Sequence, residues 1–293
     1  MIELANDHIK VQIKEEGAEL VSIQDQKTGF EFLWQGDDSL WSRQAPVLFP
    51  IIGSLKDGHY KYQDQIYSMS KHGFARDKRF HTQMVTQEAA TFYLKSDSTS
   101  LDIYPFEFSL QITYILTGNK LTVSYEVLNP SSDQDLYYNL GSHPAFNVGY
   151  NSEGDFSQLE VAFVPKAKYL RLPLHKNGLV NPNKAKYEDL PSSLLRKSLF
   201  KADTFIYQIA EKTKLQMIDQ TLSSKIILHT SNMNYIALWY PYPKEARFIS
   251  LEAWAGLPDT IDSNGKIDQK PAIIRLSPQA MNMHSYTLEF YKK

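Results

Sequence analysis

Three short segments carry residue types that can move protons or hold polar ligands. The first, Lys71-His72-Gly73-Phe74-Ala75-Arg76-Asp77, sets a histidine and an arginine four positions apart around a glycine. In an irregular stretch both side chains can converge on one small ligand, His72 through a ring N–H and Arg76 through its rigid fork of donors. An ordinary solvated turn fits the same letters. The second, Tyr138-Asn139-Leu140-Gly141-Ser142-His143-Pro144-Ala145-Phe146-Asn147, places a histidine immediately before a proline. Pro144 steers His143 toward extended backbone, and Gly141 allows a close approach to the chain that a ligand could use; a structural, hydrogen-bonded histidine is the alternative. The third, from Phe248 to Asp259, is an apolar strand that ends at a carboxylate, Glu252, and an aromatic, Trp254, before a Gly/Pro turn. A carboxyl desolvated beside an aromatic becomes a stronger base near neutral pH, whereas an edge-strand glutamate facing water does not.

These segments need a frame, and the hydrophobic pattern supplies strands. Ile9-Lys10-Val11-Gln12-Ile13 alternates with period two before a turn at Glu16-Gly17, so a strand opens the chain. A hairpin pairs Phe106–Tyr114 with Leu121–Val127 through Thr117-Gly118-Asn119. Further strands are expected at 91–94, 225–228, 235–240, 248–251 and 286–290. A helix start is credible only in short stretches such as Ser192-Ser193-Leu194-Leu195 after Pro191. The fold class is therefore all-β. No linker or composition break divides the chain, so residues 1–293 are expected to form a single domain. The segment from Lys176 to Leu190 reads as a long surface loop without an assigned function.

Composition narrows the partners. With 31 Lys plus Arg against 33 Asp plus Glu, a net charge of -2 gives no electrostatic reason to expect nucleic acid or a membrane surface. The absence of cysteine excludes disulfides, thiolate metal ligands and a cysteine nucleophile, and it suits a reducing cytosol. The start of the chain has neither a basic n-region nor an apolar h-region, and no later stretch is apolar enough to span a bilayer; a cytoplasmic location is the expectation.

Taken together, the three segments resemble the galactose-mutarotase-like superfamily, and most closely the LacX-like branch of the aldose 1-epimerases. Leu33-Trp34-Gln35-Gly36 and Pro46–Gly53 extend the resemblance over nearly the whole chain. It implies a large β-sandwich (supersandwich) with the sugar site on the concave face of one sheet. It also implies interconversion of the α and β anomers of a free hexose by acid–base ring opening, without metal or cofactor. By the same resemblance Glu252 is the catalytic base, His143 in protonated form the acid, and His72 a second donor. Arg76 and Asp203 then bind sugar hydroxyls, Arg43 is a further contact, and Trp239 or Trp254 lies against the apolar face of the sugar. The expected partner is a small sugar, and the protein a monomer or homodimer.

Related readings remain open at this stage. A hexose-6-phosphate 1-epimerase would need only an added basic pocket, for which Arg43, Arg76, Lys78 and Arg79 are available. A non-catalytic carbohydrate-binding protein would keep the cavity without turnover. Zinc hydrolysis lacks a His-Glu-x-x-His motif, and glycoside hydrolysis would need Asp203 as a second carboxylate facing Glu252.

Overall fold

A computed structural model describes residues 1–150, 156, 158–190, 195–202 and 204–293. Ser192, Ser193, Leu194 and Asp203 thus lie outside the described residues. Among the described residues the longest α-helix is the single turn Ser98–Leu101, and no helix is long and apolar enough to cross a membrane. The rest is strand, turn and short 3-10 segments.

Two eight-stranded antiparallel sheets dominate. The first runs in the order Leu159–Val164, Lys214–Asp219, Ser224–Ser231, Met281–Lys292, Lys120–Leu128, Ser109–Thr117, Ala89–Lys95, His81–Val85. The second runs in the order Lys186–Glu188, Tyr169–Arg171, Phe205–Gln208, Tyr235–Trp239, Phe248–Ala255, Leu140–Ser142, Val47–Leu48. Its eighth strand, Ala145–Asn147, also pairs with Phe248–Ala255. Alternating residues of both sheets, among them Leu110, Ile112, Leu121, Val123, Leu238, Ile249 and Leu251, meet in one large buried core. A smaller apolar cluster covers the other face of the second sheet, where Leu48, Ile206, Ala237 and Trp254 pack against Leu172 and Val180. The strand alternation is what lets one sheet serve both layers.

Several sequence expectations need adjustment. A strand at Ile2–Ala5 precedes Ile9–Ile13, so the chain opens one strand earlier than the alternation suggested. The central hairpin is Ser109–Thr117 with Lys120–Leu128, turning at Gly118-Asn119. Phe106 and Phe108 are not in the strand; they are buried in the core just before it, following Pro105. The Lys176–Leu190 segment is not simply a surface loop. It contains a 3-10 turn at Pro182–Lys184 and the edge strand Lys186–Glu188, and its Leu179 and Val180 are buried. Val180 N–H donates to the Asp259 carbonyl, which ties this segment down beside the second sheet.

One glycine fixes the approach to the first chemical segment. Gly73 has φ +73°, and a Cβ there would lie 2.2 Å from the Phe49 carbonyl oxygen. The backbone of 73–75 is bonded to that same oxygen, since Phe74 and Ala75 N–H groups both donate to it. Gly73→Ala should therefore cost about 3 kcal/mol or more in urea unfolding, because strain and a backbone clash add. Gly58→Ala shares the positive φ but meets open space, and should cost only about 1 kcal/mol.

Candidate active site

The strand Phe248–Ala255 is buried along its whole length and lies between Tyr235–Trp239 and Leu140–Ser142. With period two, Ser250, Glu252 and Trp254 share the face turned away from the main core, while Ile249, Leu251 and Ala253 point into it. Glu252 has no exposed surface. Its register partner on the neighbouring strand is Ala237, which leaves space beside the carboxylate. Two residues along, the Trp254 indole N–H donates to Glu252 Oε2 at 3.1 Å.

His143 reaches Glu252 because its strand breaks. Leu140–Ser142 pairs with Phe248–Ala255 at Gly141↔Trp254, and pairing resumes at Ala145↔Ser250. His143 and Pro144 fill the gap between them, Pro144 having no N–H to give a ladder. The interruption turns the His143 ring onto the Glu252 face, with Nε2 3.4 Å from Oε1 and Nδ1 3.2 Å from the Ser250 hydroxyl oxygen. Gly141 does permit a close approach, but the group that occupies it is protein. A Cβ there would stand 2.8 Å from the Trp254 ring, so the space expected for a ligand belongs to the indole that holds Glu252.

His72 arrives from the opposite wall with φ +70°, a costly conformation for a residue with a side chain. A paired contact holds it there: His72 N–H donates to the Gly53 carbonyl at 2.9 Å, and Gly53 N–H donates to His72 Nδ1 at 3.1 Å. Because Nδ1 accepts, the ring proton is on Nε2, the polar atom left for the cavity. Gly53 in turn packs on Pro258, where a Cβ would meet the ring at 2.4 Å. The next residue, Asp259, carries a buried ion pair with Lys270 at 3.0 Å and accepts the Lys56 N–H. The Lys56 bond to Asp259 fastens the 53–56 turn to the 257–270 segment, which the ion pair braces internally.

Burial first, then His143 and the Lys71 and Arg76 cations, hold the His72 imidazole well below its usual range. Burial followed by Lys71 pushes His143 down to about 3. Both rings are neutral at pH 7 in the unliganded site. Burial beside Lys71 thus favours the neutral form of His143, whereas the Glu252 carboxyl at 3.4 Å is the one neighbour placed to hold a charged ring.

These groups line a cavity of about 170 Å³ that also takes in Trp41, Lys71, Arg76, Thr204 and Trp239. Glu252, His143, His72 and Arg76 are thus brought together as the sequence suggested. Arg76 is oriented by a 2.7 Å bond to the Lys71 carbonyl. Arg43 stands behind it, bonded to Asp77 at 2.5 Å and reaching the Arg76 carbonyl, outside the cavity lining. Asp203 lies outside the described residues, although its neighbour Thr204 is on the wall. Of the tryptophans, Trp254 is committed to Glu252. Trp41 and Trp239 are half-buried, with ring centroids 5.1 and 5.2 Å from that of His143, and offer aromatic surface to the cavity. Trp41 and Lys71 went unassigned in the sequence. The pairing of Trp41 with Trp239 joins segments almost two hundred residues apart, and no local pattern announces it.

The chain and its fold have clear relatives. The aldose 1-epimerase family model matches residues 1–273. The chromosomal LacX protein of Lactococcus lactis subsp. lactis is 30% identical over 301 residues, covering 98% of each chain. A galactose mutarotase related enzyme from Lactobacillus acidophilus superposes with a TM-score of 0.95 at 29% identity, over 99% of this chain and 97% of that one. A galactose mutarotase-like protein from Lactobacillus casei gives 0.92 at 32% identity, over 99% and 100%. With that match over most of its length and the same all-β architecture, the chain belongs to the aldose 1-epimerase family.

Proposed function

We propose that the protein is a mutarotase that opens and re-closes the ring of a free hexose, with Glu252 as its base. The observation that carries this reading is a fully buried carboxylate, aimed into a sugar-sized cavity and 3.4 Å from a histidine, in a chain of this family. Ring opening removes the proton of the C1 hydroxyl and adds one to the ring oxygen. Glu252 takes the first, the O–H bond breaking as C1=O forms and the C1–O5 bond gives way. The ring oxygen gains its proton from the Glu252–His143 pair, His143 being charged only in passing. The N–H of His72 Nε2 is a fixed donor for the charge that develops on oxygen. On re-closure the same groups act in reverse, and the aldehyde, having rotated, is attacked on either face.

Arg76 and Lys71 supply donors for ring hydroxyls, and Trp41 or Trp239 offers a flat apolar wall for the C–H face. The scheme uses no metal; among the described residues no group of three His, Cys, Asp or Glu side chains is arranged to hold one. The free sugar is favoured over a phosphorylated one because the other cations are already engaged. Arg79 pairs with Glu15, Lys78 bonds Thr99, and Arg43 bonds Asp77.

Polarimetry of freshly dissolved α-galactose and α-glucose tests the reading. The wild type should accelerate the approach to equilibrium, and Glu252→Gln should lower kcat/KM about 10² to 10⁴-fold. Trp254→Phe, which removes one charge-assisted hydrogen bond to Glu252, should cost about tenfold. No acceleration by the wild type, or acceleration of glucose 6-phosphate alone, would contradict the proposal.

The charge state of His143 gives a second expectation. An imidazolium acid of ordinary pKa would lose activity as pH rises through about 6.5. With its pKa depressed to about 3, His143 is already neutral throughout that range. The value of kcat/KM should therefore not decline between about pH 7 and pH 8.5. A descending limb centred near neutrality would show that a charged histidine is required.

A further inference from the structure

Glu19 is a second carboxylate without exposed surface, and it stands outside the lining of the cavity that holds Glu252. It follows the tight turn Glu16-Gly17-Ala18, in which Gly17 and Ala18 both have positive φ. Its Oε2 lies 2.7 Å from the ammonium of the partly exposed Lys14. Its Oε1 accepts two consecutive backbone N–H groups, those of Gln44 and Ala45, each at 3.0 Å. Taking a carboxylate out of water is costly and an ion pair alone rarely offsets it, so the two N–H donors are an essential part of what keeps Glu19 in the interior.

The segment to which these N–H groups belong has His143 on its other side. Val47 and Leu48 pair with Ser142 and Gly141. Just before them the Pro46 carbonyl accepts the His143 N–H at 3.1 Å, and the Gln44 carbonyl accepts the Ala145 N–H at 2.9 Å. Residues 44–48 therefore run beside 141–145 and carry the backbone of His143 where its ladder to Phe248–Ala255 is broken. Val47–Leu48 is the last strand in the order of the second sheet, and ahead of it a single oxygen of Glu19 supplies the acceptor that a further strand would have given. The stretch leading into this segment bears Trp41, which lines the cavity together with Pro46. Gly17, two residues before Glu19, touches the other wall: a Cβ there would lie 2.7 Å from the Arg76 carbonyl oxygen, and its N–H donates to the Lys78 carbonyl at 2.7 Å. One turn thus braces the backbone of both His143 and Arg76.

We propose that Glu19 is a positioning residue of the active site: its carboxylate holds residues 44–46, and the carbonyls of that segment set His143 against Glu252. Glu19 touches neither the sugar nor the reacting atoms. Without its acceptor the segment loosens and His143 drifts from Glu252, and a small displacement of a proton-transferring group lowers the rate steeply. The kinetic consequence rests on the mutarotase reading, which it deepens with a residue far from His143 in sequence.

Mutarotation of α-galactose and hydrogen exchange of backbone amides test the proposal together. Glu19→Leu, which keeps the bulk and removes the acceptor, should lower kcat about tenfold, the loss of one charge-assisted hydrogen bond. It should also speed exchange of the His143 and Ala145 amides by about tenfold or more relative to those of Phe74 and Ala75 on the opposite wall. Glu19→Gln keeps an oxygen for the two N–H groups while Lys14 turns to water, and should hold kcat within about threefold of the wild type. Should Glu19→Leu not fold, Glu19→Ala carries the same expectations, since water can enter the vacated space and meet the two donors without fixing their place. Leu121→Ala, a truncation of a buried side chain in the first sheet, should lose stability yet keep kcat within about twofold. Wild-type kcat and exchange in Glu19→Leu, a loss shared in full by Glu19→Gln, or an equal loss in Leu121→Ala would overturn the positioning role while leaving the mutarotase in place. If the wild type accelerated no sugar, the mutarotase reading would fail and the exchange ratio would decide alone: a raised ratio in Glu19→Leu would support the positioning of His143, and an unchanged one would overturn it.

Discussion

A carboxylate without solvent, in the middle of a sheet, is the constraint around which this molecule is arranged. Moving a charged group out of water costs several kcal/mol unless other groups replace the lost hydration. Glu252 has its replacement in the Trp254 indole N–H and in the side chain of His143 across 3.4 Å. Each partner imposes its own condition on the chain. Trp254 can lie flat across the neighbouring strand only because residue 141 lacks a side chain. His143 can turn toward Glu252 only because Pro144 interrupts the ladder between two short strands that pair with the same neighbour. A hydrogen bond to a charged group contributes about 1.5 to 3 kcal/mol, so losing the Trp254 donor removes a substantial part of what keeps the carboxylate in place.

The opposite wall follows a different logic. His72 is held in left-handed backbone by two hydrogen bonds with Gly53, and the 53–56 turn is secured by Pro258 and by the buried Asp259–Lys270 pair. Such a pair contributes little net stability compared with an apolar replacement, but breaking it leaves an uncompensated charge in the interior. Its value here is positional. It holds Asp259 where its other carboxylate oxygen accepts the Lys56 N–H, and that bond, across more than two hundred residues of sequence, places the turn that carries Gly53 against His72. In the proposed reaction the two walls have complementary parts, a base with a proton-passing neighbour on one side and a fixed N–H donor on the other.

Much of this was legible in the amino-acid sequence. The apolar run at 248–251 located the strand that leads to Glu252, although that strand continues through Glu252 to Ala255. The prolines and glycines around His143 and His72 marked non-helical backbone, and the resemblance to the aldose 1-epimerases joined the three segments. What the sequence hid was long-range. No local pattern shows that Gly141 accommodates an indole, that Trp41 meets Trp239, or that Arg43 spends its fork on Asp77 behind Arg76. The 176–190 segment read as a loop because its Asn, Lys and Pro content is that of a loop. Its buried Val180, and its place on the cavity wall through Gly178, depend on an apolar patch supplied by strands elsewhere. The electrostatic surroundings of His143 were hidden for the same reason, since its neighbours in space, Lys71 and Arg76, are distant in sequence.

The central claim is that a buried carboxylate works here with two histidines that are neutral at rest, and nitrogen-15 NMR of the imidazole rings tests it most directly. The account predicts that, from about pH 5 to pH 8, His72 gives the signals of a neutral ring protonated at Nε2 and His143 those of a neutral ring, with Glu252→Gln leaving the His72 tautomer unchanged. An imidazolium spectrum for His143 at neutral pH, or a proton on Nδ1 of His72, would contradict it.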